Sequence, residues 1–145
     1  MIVDLIRNDL GKICKFGTVK TDELFKVHSF KTIHHMITNV TGELKDNILE
    51  MDIFQALFPG GSITGAPKQR SLEIIDQIEG YSRGAYTGSI GFISSKGDMN
   101  FNIAIRTLTL NQDRITYPVG GGIVWDSIAK DEREEAIYKS KVLDI

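Results

Sequence analysis

The stretch that decides the fold is YTGSIGFISSKGDMNFNIAIRTLTLNQDRITYPVGGGIV, residues 86–124. It contains three runs rich in apolar and β-branched residues, which predict strands over residues 86–94, 101–110 and 115–124. The connectors between them are short and polar, as is typical of hairpins. We therefore predict antiparallel strands in this half of the chain.

Outside this stretch, the apolar spacing predicts two more strands and four helices. The strands are expected over residues 19–27 and 33–44, and the helices over residues 1–9, 48–58, 68–79 and 130–142. Gly11 is predicted to close the first helix, because glycine commonly ends helices in the left-handed conformation. The result is an α+β fold, in which helices cover one face of a mostly antiparallel sheet within a single domain.

The composition excludes several classes of protein. The chain has 145 residues, of which 41% are hydrophobic and 25% are charged, and this describes a globular domain rather than a disordered or fibrous chain. Its net charge of -2 means that the chain has no excess of positive charge to attract a nucleic-acid backbone. The lone Cys14 excludes an internal disulfide and a four-thiolate zinc site. Without a run of roughly 20 apolar residues, we expect a cytoplasmic protein that does not enter a membrane.

The densest turn signal is FPGGSITGAPK at residues 58–68. Gly60 and Gly65 have the spacing of a phosphate-binding loop, but such a loop needs a lysine directly after its second glycine. Here Ala66 and Pro67 intervene, and Pro67 lacks a backbone N–H. The loop is therefore either a site for another anionic or polar ligand or a tight turn without a ligand.

Glu132 and Glu135 are three residues apart on the last predicted helix, so their side chains share one face. Two carboxylates there can hold a shared hard cation. The alternative is a solvated helix in which Glu135 pairs with Lys139. Because this spacing is common, the spacing by itself favours the solvated helix.

Arg106 interrupts the apolar run FNIAIRTL within the second strand of the deciding stretch. A guanidinium buried in such a strand would need a partner to offset its desolvation. That partner is either a protein carboxylate or the carboxylate of a substrate, and Tyr86 could add a hydroxyl beside it.

The glycine run at residues 120–122 predicts a bulge, or a place where the backbone closely approaches a ligand. Successive N–H groups there could bind a carboxylate.

His34 and His35 are adjacent, so on a strand they point to opposite faces and cannot chelate one metal together. Either one of them faces a pocket or both are structural or exposed.

Taken together, these segments resemble one family. MIVDLIRNDLGK, HHMITNVTGEL, FPGGSITGAPK, RGAYTGSIG, FNIAIRT and GGGIVWDS, followed by Glu132 and Glu135, occur in the order seen in chorismate-binding enzymes. The resemblance covers essentially the whole chain. FPGGSITGAPK and GGGIVWDS are similar to the aminodeoxychorismate branch, because anthranilate synthases more often carry an Ala-Gly-Thr version of the loop.

The resemblance implies a set of site residues. Glu132 and Glu135 match the carboxylates that bind Mg²⁺. The groups that hold the enolpyruvyl carboxylate are matched by Tyr86, Arg106, Gly121 and Gly122. Ser62 matches a substrate-contacting hydroxyl, Lys139 a basic residue near the substrate, and His35 the active-site histidine, whose role in proton transfer or hydrogen bonding stays open.

The resemblance also implies a reaction. Chorismate would lose its C4 hydroxyl and be aminated at C4, giving 4-amino-4-deoxychorismate for para-aminobenzoate and folate synthesis. The ammonia would come from a glutamine amidotransferase subunit. The alternatives are an anthranilate synthase, and a module that binds chorismate or supports assembly without catalysis.

The family's complete subunit is roughly three times this long, beyond the usual size of one domain. The Pro-Ile-Lys-Gly-Thr motif, which carries the nucleophilic lysine of the aminodeoxychorismate branch, does not occur here. The helical spacing that begins at Met1 without a capping residue agrees with a truncated start. We therefore expect the C-terminal portion of a chorismate-binding domain, an incomplete part of the anthranilate synthase-like fold and inactive alone, whose unpaired strand edges would promote self-association.

Overall fold

The computed structural model describes residues 1–31 and 34–141. Its helices are α1 (Ile2–Ile13), α2 (Glu50–Leu57), α3 (Lys68–Ile78) and α4 (Ala129–Ser140), with a short 3₁₀ turn at Gly61–Ile63. Its strands are β1 (Lys20–Ser29), β2 (His34–Thr41), β3 (Ser89–Ile93), β4 (Met99–Ile103), β5 (Thr109–Asn111) and β6 (Arg114–Thr116). The predicted ends at Ile33 and Val142 lie outside the described residues.

All the described strands pair antiparallel, in three two-stranded sheets: β1 with β2, β3 with β4, and β5 with β6. The predicted α+β class with antiparallel pairing is therefore confirmed. The contacts divide the chain into a first unit, Met1–Ile75, and a second unit, Asp76–Ile145.

The core of the first unit lies between α1 and α2. Ile13, Cys14 and Ala56 are buried there, and Leu10 and Ile53 are among the partly buried side chains around them. Burying these apolar side chains is the main favourable contribution to the packing of the two helices.

The prediction that Gly11 ends α1 is wrong. The helix continues through Gly11 to Ile13, and the Cys14 N–H still donates to the Leu10 carbonyl over 2.8 Å. The physical reason is burial, because one more turn carries Ile13 into the core. This gain exceeds the cost of about 1 kcal/mol for a glycine inside a helix.

In the second unit, β3 and β4 form a hairpin whose base is closed by Ala104. The Ala104 N–H donates to the Gly88 carbonyl, its carbonyl accepts from the Thr87 N–H, and both bonds measure 2.9 Å. Ala104 itself is fully buried. This ladder places Tyr86 and Arg106 just beyond the base of the hairpin.

The strand predicted over residues 101–110 is wrong as a single element, because β4 ends at Ile103 and β5 begins at Thr109. Arg106 lies between them in a bend, with φ at 50°, which a pleated strand does not allow. The strand predicted over residues 115–124 is also too long, since β6 ends at Thr116. Pro118 follows, and it has no N–H to offer a strand ladder.

Many large apolar side chains lie on the surface, and Phe16 and Trp125 are almost fully exposed. Apolar surface of this kind promotes association, so self-association stays a prediction for sedimentation at several concentrations to test. Among the described residues, no helix combines the length and the apolar character needed to cross a bilayer.

Candidate functional site

A pocket of about 110 Å³ lies in the second unit. Its lining comes from four segments of the chain: Tyr86, Ile105, Arg106, Pro118, Val119, Gly120 and Lys139. The structure thus brings together Tyr86, Arg106 and Lys139, the three predicted substrate-binding residues that carry polar side chains in this unit. The pocket presents two cationic groups and a phenol hydroxyl among apolar atoms.

Tyr86 is half-buried at the pocket, and its backbone N–H donates to the Arg83 carbonyl over 3.0 Å. Burial raises the pKa of the Tyr86 phenol, and the nearby charge of Arg83 opposes this only in part. The hydroxyl therefore stays protonated at neutral pH and can donate a hydrogen bond to an anion.

Arg83 holds Tyr86 in place and was missed from the sequence. Its guanidinium lies 5.7 Å from the centroid of the Tyr86 ring and forms two hydrogen bonds, of 2.6 and 2.7 Å, with the Glu79 carboxylate. These bonds lower the pKa of Glu79 and raise that of Arg83. Glu79 and Arg83 both follow the end of α3 at Ile78, so helical spacing gave no signal for this pair in the sequence.

Arg106 lines the pocket but is exposed, so the expectation of a guanidinium buried in a strand is wrong. The bend turns the backbone out of the β4 ladder, and water solvates the charge that a strand would have desolvated. Within the part of the chain that the structure describes, no carboxylate forms an ion pair with Arg106. An exposed guanidinium needs no buried partner, so the carboxylate of a ligand at Arg106 stays a prediction.

Lys139 joins α4 to the glycine run. Its ammonium donates to the Gly120 carbonyl over 2.9 Å and pairs with the Glu135 carboxylate at 2.5 Å. Gly120 lines the pocket, whereas from the sequence only Gly121 and Gly122 were assigned to the substrate carboxylate. A Cβ on Gly120 would lie 2.8 Å from the Tyr86 hydroxyl, so this close approach requires glycine.

Glu132 and Glu135 both reach the backbone of Gly121. A Cβ built on Gly121 would lie 3.2 Å from Glu132 Oε2 and 3.6 Å from Glu135 Oε1. Glu132 also accepts a 2.5 Å hydrogen bond from the Ser127 hydroxyl. The ion pair between Glu135 and Lys139, expected for a solvated helix, is formed as well. A Cβ built on Gly122, by contrast, would meet no described atom within 4 Å.

The two glutamates fit Mg²⁺ as part of a ligand set. Mg²⁺ is usually held by one or two carboxylates and completes its six oxygen ligands with water and substrate. The missing side chain of Gly121 leaves room between the carboxylates and the backbone. Among the described residues, no group of three or more His, Cys, Asp or Glu side chains could hold a metal.

Ser62 lies in the first unit, exposed, in the 3₁₀ turn of the glycine-rich loop, residues 58–67. The loop is folded on itself, since the Gly60 carbonyl accepts from the Ile63 N–H at 3.2 Å and from the Thr64 hydroxyl at 3.0 Å.

His35 is also in the first unit, exposed on β2 and paired in register with His28 of β1. Its ring meets the Phe30 ring edge-on, with 6.2 Å between centroids. The remaining predicted residues all belong to the second unit, and the roles of His35 and Ser62 stay predictions.

Comparisons with known proteins bear on this site. A family model described as chorismate binding enzyme matches residues 1–144. Aminodeoxychorismate synthase component 1 of Salmonella typhimurium is 48% identical over 139 residues, covering 96% of this chain and 31% of that protein. Anthranilate synthase component 1 of Saccharolobus solfataricus is 44% identical over 143 residues, covering 99% of this chain and 34% of that protein.

The crystal structure of anthranilate synthase component I from Streptococcus pneumoniae matches with a TM-score of 0.90 and 41% identity, covering 97% of this chain and 32% of that one. The chain thus spans about a third of the length of the relatives that it matches. The predicted fold, an incomplete part of the anthranilate synthase-like architecture, is confirmed. By sequence and by structure, the chain belongs to the family of chorismate-binding enzymes.

Proposed function

We propose that this chain is part of a synthase that aminates chorismate at C4, giving 4-amino-4-deoxychorismate for para-aminobenzoate and folate synthesis. The observation that carries the proposal is the meeting of Tyr86, Arg106 and Lys139 around one pocket. The similarity to aminodeoxychorismate synthases supports the choice of product.

The pocket suits the carboxylate of an enolpyruvyl group. The planar guanidinium of Arg106 can donate two parallel hydrogen bonds to a carboxylate, and such pairs are both strong and directional. The protonated Tyr86 hydroxyl adds a donor, and Lys139 adds positive charge. The N–H groups of Gly121 and Gly122, next to the pocket, are assigned to the same carboxylate.

The proposed reaction balances as chorismate plus ammonia giving 4-amino-4-deoxychorismate plus water. The bond from C4 to its hydroxyl oxygen breaks, the C4–N bond forms, and the enolpyruvyl ether at C3 is kept. A glutamine amidotransferase subunit is proposed to supply the ammonia. The Ser62 hydroxyl is proposed to contact the substrate and His35 to hydrogen-bond or transfer a proton.

Glu132 and Glu135 are proposed to hold Mg²⁺. The ion, when bound, would neutralise the ring carboxylate and help to position the ring for loss of the C4 hydroxyl. The protein's own part is to orient the two carboxylates. Ser127 hydrogen-bonds Glu132, and Lys139 pairs with Glu135.

Two other functions remain candidates for specific reasons. An anthranilate synthase is supported by relatives of 44% identity, and it would eliminate pyruvate from chorismate. The other alternative is a module that binds chorismate without turnover, in which the pocket of Tyr86, Arg106 and Lys139 would hold the ligand. We propose that the 145 residues alone bind chorismate and do not convert it.

Product analysis tests the proposal. The native protein that carries this sequence is given chorismate, ammonia and Mg²⁺, and the products are identified by mass spectrometry beside an enzymatic assay for pyruvate. An aminated product that keeps the enolpyruvyl group is expected. Anthranilate with an equal amount of pyruvate would assign the other synthase, and no conversion would favour a binding module.

A further inference from the structure

The first unit contains a buried carboxylate that the proposed function does not use. Asp9, on α1, is 5% exposed, and it alone among the described residues is both charged and buried. Its two oxygens accept hydrogen bonds of 2.8 Å from the ammonium groups of Lys12 and Lys68, one oxygen for each lysine. Burial by itself raises the pKa of Asp9, but these lysines outweigh it and hold the pKa below its ordinary value.

The two lysines differ in where they belong. Lys12 is three residues along the same helix and half exposed, so its pair with Asp9 stays within α1. Lys68 is 59 residues away, is mostly covered, and is the first residue of α3. It directly follows the glycine-rich loop, so its pair with Asp9 fixes one end of that loop to α1.

The part of the loop before Ser62 also rests on α1. Gly61 is buried, and a Cβ built on it would lie 3.1 Å from Leu5 Cδ1. Leu5 and Asp9 are four residues apart and therefore lie on the same face of α1. One helix face thus holds the loop at two points, one on each side of Ser62.

We propose that Asp9 is a positioning residue of the glycine-rich loop: through Lys68 it fixes the loop on α1 and so sets the place of Ser62. The assignment of substrate contact to Ser62 rests on the proposed function, whereas the anchoring of the loop does not. The competing explanation is that Asp9 only neutralises lysine charge and stabilises α1. In that case removal of Lys12 and removal of Lys68 would have equal effects on the loop.

Lys68→Met and Lys12→Met form a matched pair, because each removes one ammonium from the same carboxylate. Amide hydrogen exchange of Ile63, whose N–H bonds to the Gly60 carbonyl inside the loop, reports the anchoring without any ligand. We expect about tenfold faster exchange in Lys68→Met and a change below about twofold in Lys12→Met. Equal effects of the two substitutions, or no effect of either, would overturn the proposal.

Lys68→Arg keeps the charge and the reach to Asp9, and it should restore slow exchange at Ile63. Asp9→Asn should act like Lys68→Met on the loop. If Asp9→Asn fails to fold, the comparison of the lysine variants still decides. Failure of Lys68→Arg to slow the exchange relative to Lys68→Met would count against an ionic anchor.

The link to substrate is read in the native protein by steady-state kinetics with chorismate. We expect Lys68→Met to raise KM about tenfold while kcat changes little, and Lys12→Met to leave KM near the wild-type value. If Asp9 had a purely structural role, Lys68→Met and Lys12→Met would both lower the melting temperature, and KM would not rise in Lys68→Met alone. If the wild type does not act on chorismate, the proposed function fails, and the exchange of Ile63 still tests the anchor.

Discussion

The Lys139 ammonium donates a 2.9 Å hydrogen bond to the carbonyl of Gly120, which lies 19 residues earlier in the chain. The same ammonium pairs with Glu135 at 2.5 Å. One lysine therefore connects the backbone wall of the pocket to a carboxylate proposed to bind Mg²⁺. A disturbance at the glutamates should consequently reach the pocket.

Gly121→Ala should weaken binding of chorismate in the presence of Mg²⁺, because the new methyl group would lie 3.2 Å from Glu132 and 3.6 Å from Glu135. The contact with Glu135 is an ordinary one, but at 3.2 Å the Glu132 carboxylate must shift by a few tenths of an ångström, away from the place where the two carboxylates converge on one ion. We expect the dissociation constant, measured by calorimetric titration, to rise about tenfold. Gly122→Ala is the matched control, since its methyl group meets no described atom within 4 Å, and an equal effect of both substitutions would contradict the prediction.

Glu132→Gln and Glu135→Gln should each reduce the Mg²⁺ dependence of chorismate binding while the fold is kept. Each change removes a charge at nearly constant volume. Glu135 is about half exposed in its pair with Lys139, so loss of that pair should cost only about 0–1 kcal/mol of stability. Titrations of chorismate at several Mg²⁺ concentrations check this. If the Mg²⁺ dependence of binding is unchanged in both variants, the two glutamates do not bind the ion and belong to a solvated helix face.

Arg106→Met should leave the thermal stability of the ligand-free protein nearly unchanged. The guanidinium is exposed, and no described carboxylate pairs with it, so its removal strands no buried partner. The expected change in the free energy of unfolding is within about 0.5 kcal/mol. A loss of roughly 3–5 kcal/mol in chemical denaturation would instead reveal a buried protein partner.

The contribution of Asp9 to stability should depend on pH in the acidic range. Its pKa in the folded state lies below the ordinary value of 3.8, so the ionised form favours folding. This stability is fully present above about pH 5 and is lost as the pH falls through the ordinary value toward the lower folded value. The difference in melting temperature between wild type and Asp9→Asn should therefore be constant above about pH 5 and shrink below about pH 4. A difference that grows on acidification would contradict this sign.

Most of the elements, but not all their ends, could be predicted from the sequence. The apolar spacing of α3 and the composition of β3 are local signals. The helix α3 formed within one residue of its predicted bounds, and β3 formed inside the strand predicted over residues 86–94. The end of α1 depended on burial of Ile13 against α2, which is 37 or more residues away along the chain. The bend at Arg106 depended on a left-handed φ that arginine rarely adopts, and no local pattern predicts it.

The residues of the candidate site also divide into those with a local signal in the sequence and those that depend on contacts between distant segments. Glu132, Glu135 and Lys139 could be grouped because helical spacing places them on one face. Arg106 was singled out because a charge interrupted an apolar run, although the reason given, burial, was wrong. The pair between Asp9 and Lys68 had no signal in the sequence, since 59 residues separate the two and only the packing of α1 against the glycine-rich loop brings them together.

The most direct test of the account is a calorimetric titration of chorismate into the 145-residue chain with Mg²⁺ present, beside Arg106→Met. We predict saturable binding at one site in the wild type. In Arg106→Met the dissociation constant should rise by about tenfold or more at an unchanged melting temperature, because the bidentate hydrogen bonds to the carboxylate are lost. No binding by the folded wild type, or equal binding by both proteins, would contradict the claim that the pocket of Tyr86, Arg106 and Lys139 holds chorismate.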